Sequence, residues 1–264
     1  MRIVYEPRGR AKEYAELACN LYIGCTHGCR YCFAPACMHL TREKWKSGVY
    51  VRKRALELFE QDASDMRKAR DRRAILFSFL SDPYQPLEAT EGITHRALEI
   101  ILRNRLRSKV LTKGHPDLVS ADFDLMSRAD TELGFTISFL DDKLRKRWEP
   151  GAASIEDRLA MLKKAHDVGI RTWVSLEPVI DPEQALAVIR EALPHVDYWK
   201  VGKLNHMKEI EKKIDWPRFR NDVLRLFAEA GKNASDYYIK HDLMTATAGS
   251  ASNRESGRNR KSTS

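Results

Sequence analysis

Short apolar runs alternate with stretches of helical periodicity along most of the chain. Residues 17–23 open the series as a strand, and residues 51–68 follow as a long helical region. Residues 74–80 (AILFSFL) have the unbroken apolar character of a buried strand, and residues 91–106 bring Ile93, Ala97, Leu98, Ile101 and Leu102 onto one helical face. A strand is predicted at 109–112, a short helix at 121–128 and another strand at 133–140 (LGFTISFL). Ser154 with Asp157 has the form of a capping box. It opens a helix with Ile155, Leu159, Leu162 and Val168 on the core side and a stop at Gly169. Residues 171–176 form the next strand. Asp181 and Pro182 provide the N-cap and first-turn proline of a helix reaching Leu193. A strand at 196–201, a helix at 217–230 with Phe219, Val223, Leu224 and Phe227 inward, and a strand at 237–240 complete the pattern.

Six strand–helix units and a final strand imply parallel strands joined by right-handed crossovers. Six units are too few for a closed eight-stranded barrel, so the expected fold is α/β, a partial (β/α)6 TIM-like barrel over residues 1–244. Its chemistry is expected at the C-terminal ends of the strands. Residues 245–264 lack an apolar pattern and are expected to form a disordered basic tail.

Composition adds bounds. The chain has 264 residues, 43% hydrophobic and 31% charged, enough for one large domain with its own core. No apolar run approaches a membrane span and the basic start has no signal-peptide apolar stretch, so the expectation is a cytoplasmic protein without membrane contact. Of the net charge of +9, the tail supplies +3 through Arg254, Arg258, Arg260 and Lys261 against Glu255. Two runs stand out in the remainder: Arg103, Arg105, Arg107, Lys109 and Lys113, and then Lys143, Arg145, Lys146 and Arg147. Such runs suit a phosphate-bearing partner, DNA or RNA, or else form a solvated helix face.

All five cysteines fall between residues 19 and 37, a clustering that points to metal binding in a reducing compartment rather than to a disulfide framework. Cys25-Thr-His-Gly-Cys29-Arg-Tyr-Cys32 directly follows the first strand. Three thiolates within eight residues can wrap one cuboidal [4Fe–4S] cluster and leave one iron open, whereas structural zinc wants four ligands. Cys19 is expected to be a core thiol and Cys37 to sit on a helix leading away; either is a possible fourth ligand. His27 is expected to face solvent.

Cys-x3-Cys-x2-Cys with an aromatic before the last cysteine resembles the radical S-adenosylmethionine superfamily. Ser81-Asp-Pro-Tyr-Gln-Pro86, Leu111-Thr-Lys-Gly114, Trp173-Val-Ser-Leu-Glu-Pro178 and Lys200-Val-Gly-Lys-Leu-Asn-His206 resemble its spore photoproduct lyase-related branch, from Tyr5 to about Leu243. The resemblance implies S-adenosylmethionine as cofactor, chelated to the open iron and cleaved to a 5′-deoxyadenosyl radical, with a reductant such as flavodoxin or ferredoxin as partner. It places Tyr31 against the adenine, Ser81 and Asp82 near the methionine amino group, Lys113 near the carboxylate, and Ser138 near the carboxylate or ribose. Glu177, Lys203, Asn205 and His206 are placed at the mouth, near ribose and substrate. Each also has a plain reading: loop packing for Tyr31, a turn into Pro83 for Ser81 and Asp82, a solvated lysine for Lys113, a strand serine for Ser138, and loop capping for Asn205 and His206.

The leading expectation is therefore a radical enzyme acting on nucleic acid, by lyase-like repair or base modification, with no catalytic residue assigned. A peptide or small-metabolite substrate is the alternative, and a non-catalytic cluster or zinc module a remote one. Residues 141–153, basic and containing Trp148, read as a loop overhanging the site, either with arginines on phosphates and the indole on a base or equally as a structural lid. The resemblance also implies a hydrogen-donating cysteine near the end of strand two. Here that segment reads Phe77-Ser-Phe-Leu-Ser81-Asp82, so efficient spore photoproduct repair is not expected; Cys37, a tyrosine such as Tyr84, or regenerated cofactor must quench the product radical, or the reaction ends in another way.

Overall fold

The computed structural model describes residues 2–247. The elements run β1 (Leu17–Cys19), β2 (Tyr22–Ile23), α1 (Ala34–Cys37), α2 (Arg42–Ser47), β3 (Tyr50–Val51), α3 (Ala55–Ala69) and β4 (Ile75–Phe77). Then come α4 (Glu88–Glu91), α5 (Ile93–Asn104), β5 (Ser108–Thr112), α6 (Pro116–Ala121), α7 (Phe123–Arg128), β6 (Thr131–Thr136), α8 (Asp142–Trp148) and α9 (Ile155–Asp167). The chain ends with β7 (Thr172–Val179), α10 (Pro182–Ala192), β8 (Tyr198–Lys203), α11 (Lys208–Glu211), α12 (Trp216–Glu229), β9 (Tyr237–Ile239) and α13 (His241–Met244).

Seven strands form one parallel sheet in the order β1-β4-β5-β6-β7-β8-β9. Because each strand sits beside the next in sequence, the sheet curls in one direction into a half-barrel, as the alternating pattern requires. The outer core lies between sheet and helices. Phe77 of β4 meets Phe59 of α3 edge-on with ring centroids 5.5 Å apart, and both are fully buried. Inside the curl lies a second, smaller cluster of Ala15, Ala18, Leu76 and Trp173. Gly134 makes room for it, since a Cβ there would lie 2.2 Å from the Trp173 ring.

The predicted first strand is two strands. Asn20 ends the pairing of β1 with β4: its side-chain oxygen accepts from the Phe79 and Leu80 amides, and its amide donates to Tyr5 Oη. Residues 22–23 then pair antiparallel with Tyr50–Val51 outside the main sheet. Val168, expected inward, is 52% exposed at the end of α9, while Arg158 of the same helix is buried. The expected loop after β6 is largely helix α8, because Asp141 caps it by accepting from the Lys143 amide at 2.7 Å. The expected tail beyond residue 247 lies outside the described residues.

The N-terminal segment crosses the open side of the half-barrel. Tyr5 pairs with Ala18 on β1 at one edge. At the other edge Glu13 accepts from Tyr238 Oη of β9 at 3.0 Å and from the His241 amide at 2.9 Å. This bridge carries Arg8, Arg10 and Tyr14 to the mouth of the barrel, where the chemistry is expected.

Candidate active site

The loop from β2 to α1 holds the three motif cysteines. Cys25, Cys29 and Cys32 are free, half-buried and line one cavity of about 470 Å³ at the C-terminal ends of the strands. Among the described residues no three His, Cys, Asp or Glu side chains converge closely enough to hold a single metal ion; the thiols instead share the wall of this cavity. Burial pushes the Cys29 thiol up to about 12, and burial followed by the nearby Asp82 raises Cys25. A polynuclear cluster that takes up all three sulfurs as thiolates supplies the positive charge such buried thiolates need. Three soft donors on one short loop fit a [4Fe–4S] cluster in kind and number. Cys19 is a fully buried core thiol, as expected; Cys37 is exposed at the end of α1 and borders the same cavity.

Most of the residues expected at the strand tips also line this cavity: Tyr31, Ser81, Asp82, Lys113, Glu177, Lys203, Asn205 and His206. Ser138 does not. It lies beyond the end of β6, 1% exposed, with its hydroxyl unpartnered among the described residues, while Thr136 takes the cavity position. Asp82 is heavily committed inside the protein. One oxygen accepts from Thr112 Oγ1 at 2.6 Å and the Tyr84 amide at 2.9 Å, and the other from the Lys113 amide at 2.8 Å. It thereby ties the tip of β4 to the tip of β5. Ser81 Oγ donates to the Gly24 carbonyl at 2.6 Å, joining the same tip to the cysteine loop.

His27 does not face solvent. It is 2% exposed, with Nδ1 3.5 Å from Asp82, and burial lowers its pKa against the pull of that carboxylate. The reason is the turn after α8. The Gly151 amide donates to the His27 carbonyl at 2.8 Å, and a Cβ at Gly151 would lie 2.6 Å from the Thr26 carbonyl oxygen, so only glycine allows this approach. Next to it, Glu149 and Arg158 form a fully buried ion pair at 2.7 Å, and Tyr31 Oη donates to Glu149. Although burial opposes its ionisation, Arg158, Lys113 and the Tyr31 hydroxyl hold Glu149 below the usual carboxylate value. Lys113 Nζ lies 5.8 Å from the Tyr31 ring centroid; burial disfavours its charge, but Cys29, Glu149 and Asp82 outweigh that and raise its pKa.

A second polar group lines the opposite wall. Tyr14 Oη donates to Glu177 at 2.5 Å and lies 2.9 Å from Ser175 Oγ, and Lys240 Nζ reaches both Glu177 oxygens at 2.9 Å. Burial, reinforced by Glu177, raises the Tyr14 pKa well above its usual value. Tyr14, Ser175 and Lys240, like the Glu149–Arg158 pair, escaped the reading from sequence. The one available signal was an arginine set beside the apolar stripe of α9.

Four other expectations are corrected. Trp148 is 7% exposed and packed in the core, so its indole is not available to a base. Arg145 is buried against Asp142 at 2.8 Å. Tyr84 is 1% exposed and donates to Asp122 at 2.7 Å, outside the cavity, so it cannot quench a radical formed there. The basic run from Arg103 is mostly paired: Arg103 with Glu60, Arg107 with Asp130 at 2.9 Å and Lys109 with Glu132 at 2.8 Å.

Comparison with known proteins bears on this arrangement. Among solved structures, a spore photoproduct lyase variant with bound AdoMet and dinucleoside spore photoproduct superposes with a TM-score of 0.63 at 16% identity, covering 89% of this chain and 79% of that one. Streptococcus suis SuiB bound to S-adenosylmethionine gives 0.59 at 14% identity, over 84% of this chain and 49% of that one. Both likenesses are of fold. An uncharacterized protein of Methanocaldococcus jannaschii is 31% identical over 72% of this chain and 71% of its own length. One from Acidianus two-tailed virus is 26% identical, and this chain spans 64% of it. Residues 19–196 match the family model of the radical SAM superfamily. With the cysteine loop at the mouth of a parallel half-barrel, that match leaves one conclusion: the chain belongs to the radical SAM superfamily.

Proposed function

We propose that this protein is a radical S-adenosylmethionine enzyme acting on nucleic acid, in a lyase-like repair or a base modification. Cys25, Cys29 and Cys32 would hold a [4Fe–4S] cluster, which would supply one-electron reductive cleavage of S-adenosylmethionine. Tyr31 offers an aromatic face to the adenine, with Glu149 fixing its hydroxyl. Lys113, kept charged among Cys29, Glu149 and Asp82, balances the methionine carboxylate, and Ser81 and Asp82 border the amino end. The buried Glu149–Arg158 pair and the Gly151 turn stiffen the loop and keep water from its inner side.

The observation that carries the nucleic-acid reading is the mouth of the cavity. Arg8, Arg10 and Lys203 stand there beside Phe79, Asn205 and the Glu177–Lys240 pair. Arg10 is shared with Asp242 at 3.1 Å, whereas Arg8 and Lys203 have no carboxylate partner among the described residues. Cations at the rim suit backbone phosphates, and the ring with its polar neighbours suits a base turned inward.

The test is anaerobic reconstitution with iron and sulfide, followed by assay of 5′-deoxyadenosine with and without DNA or RNA. Alanine at Cys25, Cys29 or Cys32 should abolish iron uptake, and Cys37→Ala should not. Nucleic-acid affinity should fall with salt, and Arg8→Gln and Lys203→Gln should each flatten that dependence by about one counterion. Salt-independent binding, or none at low ionic strength, moves the assignment to a peptide or small metabolite. With no thiol on β4, clean conversion of dinucleoside spore photoproduct to two thymines is not expected, and observing it would overturn that part of the reading.

A further inference from the structure

The cationic surface at the mouth continues beyond the larger cavity. Phe33 and Cys37, at the two ends of α1, line that cavity together with Arg8 and Arg10. A second, smaller cavity of about 150 Å³ shares only the three motif cysteines with it and is walled by Pro35 of α1 and by Arg42, Trp45 and Lys46 of α2. The cysteine loop and α1 thus lie between the two, and α2 closes the outer side. Arg42 donates to the Cys29 carbonyl at 3.1 Å, and Lys46 lies across Gly28, where a Cβ would be 3.3 Å from its Cδ.

This part of the chain is strongly cationic. Residues 30–54 contain seven lysines and arginines and a single acid, Glu43. Arg54 pairs with Glu57, but Arg30, Arg42, Lys44, Lys46, Arg52 and Lys53 have no carboxylate partner among the described residues, and all of these but Arg52 are exposed. Two aromatic rings stand bare among them, Phe33 at 46% exposure and Tyr50 at 56%. Tyr50 sits opposite Ile23 in the small sheet, two residues before Cys25. Open rings interleaved with cations of one sign match an unpaired strand, which offers a π-face at every base and a charge at every phosphate. A duplex keeps its base faces stacked on one another and would leave both rings uncovered.

We propose that the face running from the mouth across α1 to α2 and the small sheet binds a single-stranded polynucleotide, its phosphates on Lys44, Lys46 and neighbouring cations and its bases stacked on Phe33 and Tyr50. The inference rests on the nucleic-acid reading above and narrows it to an unpaired target. Phe33 belongs to both surfaces, so a strand held on α2 is led to the cavity in which the reacting base must sit. A base delivered from such a strand enters without the unstacking that a duplex imposes. Arg8 and Lys203 then take the phosphates beside that base, and α2 takes those farther along the strand.

The test is equilibrium binding, read by fluorescence anisotropy of labelled oligothymidylate, oligouridylate and a duplex of equal length on the reconstituted full chain. At least one single strand should bind about tenfold tighter than the duplex, and the tighter of the two identifies the sugar. Lys44→Gln/Lys46→Gln should weaken single-strand binding and cut its slope of log affinity against log salt by about 1.4, the share of two phosphate contacts. Tyr50→Ala should weaken it about tenfold with the slope unchanged, and Tyr50→Phe should restore it. Iron content equal to wild type shows that the cysteine loop is intact in each variant; where Tyr50→Ala loses iron, the lysine pair decides. Equal affinity for duplex and single strands overturns the proposal. So does full single-strand affinity in the α2 and Tyr50 variants, which assigns the face to an acidic protein. Loss of binding in Arg8→Gln and Lys203→Gln alone keeps nucleic acid at the mouth and removes it from this face. Failure of wild type to bind any of the three at low salt overturns the nucleic-acid reading itself.

Discussion

Two cationic regions of this molecule have opposite fates. The run from Arg103 to Lys109 is the more conspicuous in sequence, yet Glu60, Asp130 and Glu132 neutralise most of it. Glu132 comes from the adjacent strand, in register with Lys109, and also lies within 4 Å of Arg107 and Arg171. The cations of residues 30–54 are interrupted by apolar residues and less obvious, but almost none finds a carboxylate. Charge available for a partner is what remains after tertiary pairing, and net charge along the chain does not report it.

The contrast between paired and free charge can be broken most forcefully where both partners are buried. Removing one charge of the Glu149–Arg158 pair, as in Glu149→Gln, leaves an uncompensated guanidinium in the core. Stability should fall by about 3–5 kcal/mol in urea denaturation of the cluster-free protein. A loss under about 1 kcal/mol would mean that Arg158 is satisfied by the Ala153 and Thr136 carbonyls it already reaches.

A buried cation without a carboxylate bond sharpens the contrast from the other side. Lys200 donates to the Glu13 and Tyr14 carbonyls, and burial, aided by Lys109 and Lys240, pushes its pKa down to about 7. Between about pH 7 and an unfolded value of about 10.4 the unfolded chain binds the extra proton. Stability from this group therefore rises with pH across that window, and the full penalty is present below it. Lys200→Met should lose a slope of up to about 1.4 kcal/mol per pH unit, measured as the difference from wild type in urea midpoints at pH 7.5 and 9.5. Parallel profiles for the two proteins would show that Lys200 stays charged when folded.

The smallest effect belongs to the exposed pairs. Arg103→Ala should cost at most about 1 kcal/mol in the same assay, since its bridge to Glu60 is largely solvated. It should leave nucleic-acid affinity nearly unchanged, in contrast to Arg8→Gln and Lys203→Gln. A large loss of binding on removing Arg103 would restore the linear reading of charge.

The sequence by itself determined the alternation, and with it the sheet. The runs at β4 through β9 are apolar at strand period, and each intervening helix carries a stripe of apolar positions. Seven parallel strands in sequential order follow from those patterns and from the handedness of the crossovers. It also determined the cysteine loop, because metal-ligand spacing is local, and most of the strand-tip residues, because a parallel sheet gathers the C-terminal ends of its strands at one mouth.

Only the tertiary structure decided what depends on distant partners. His27 is buried because Gly151, more than a hundred residues later, packs on its backbone. Arg158 turns inward because Glu149 awaits it, while Val168, the more apolar residue, has no surface to meet at the end of its helix. Tyr14 and Arg8 enter the site because the N-terminal segment spans the gap between β1 and β9, which is set by how far the sheet curls. Ser138 leaves it because the chain turns away after Thr136. Period and spacing are properties of neighbouring residues and can be read from the sequence; burial and ion pairing are properties of the closed fold, whether the partner lies nine residues away, as Glu149 does from Arg158, or more than a hundred, as Gly151 does from His27.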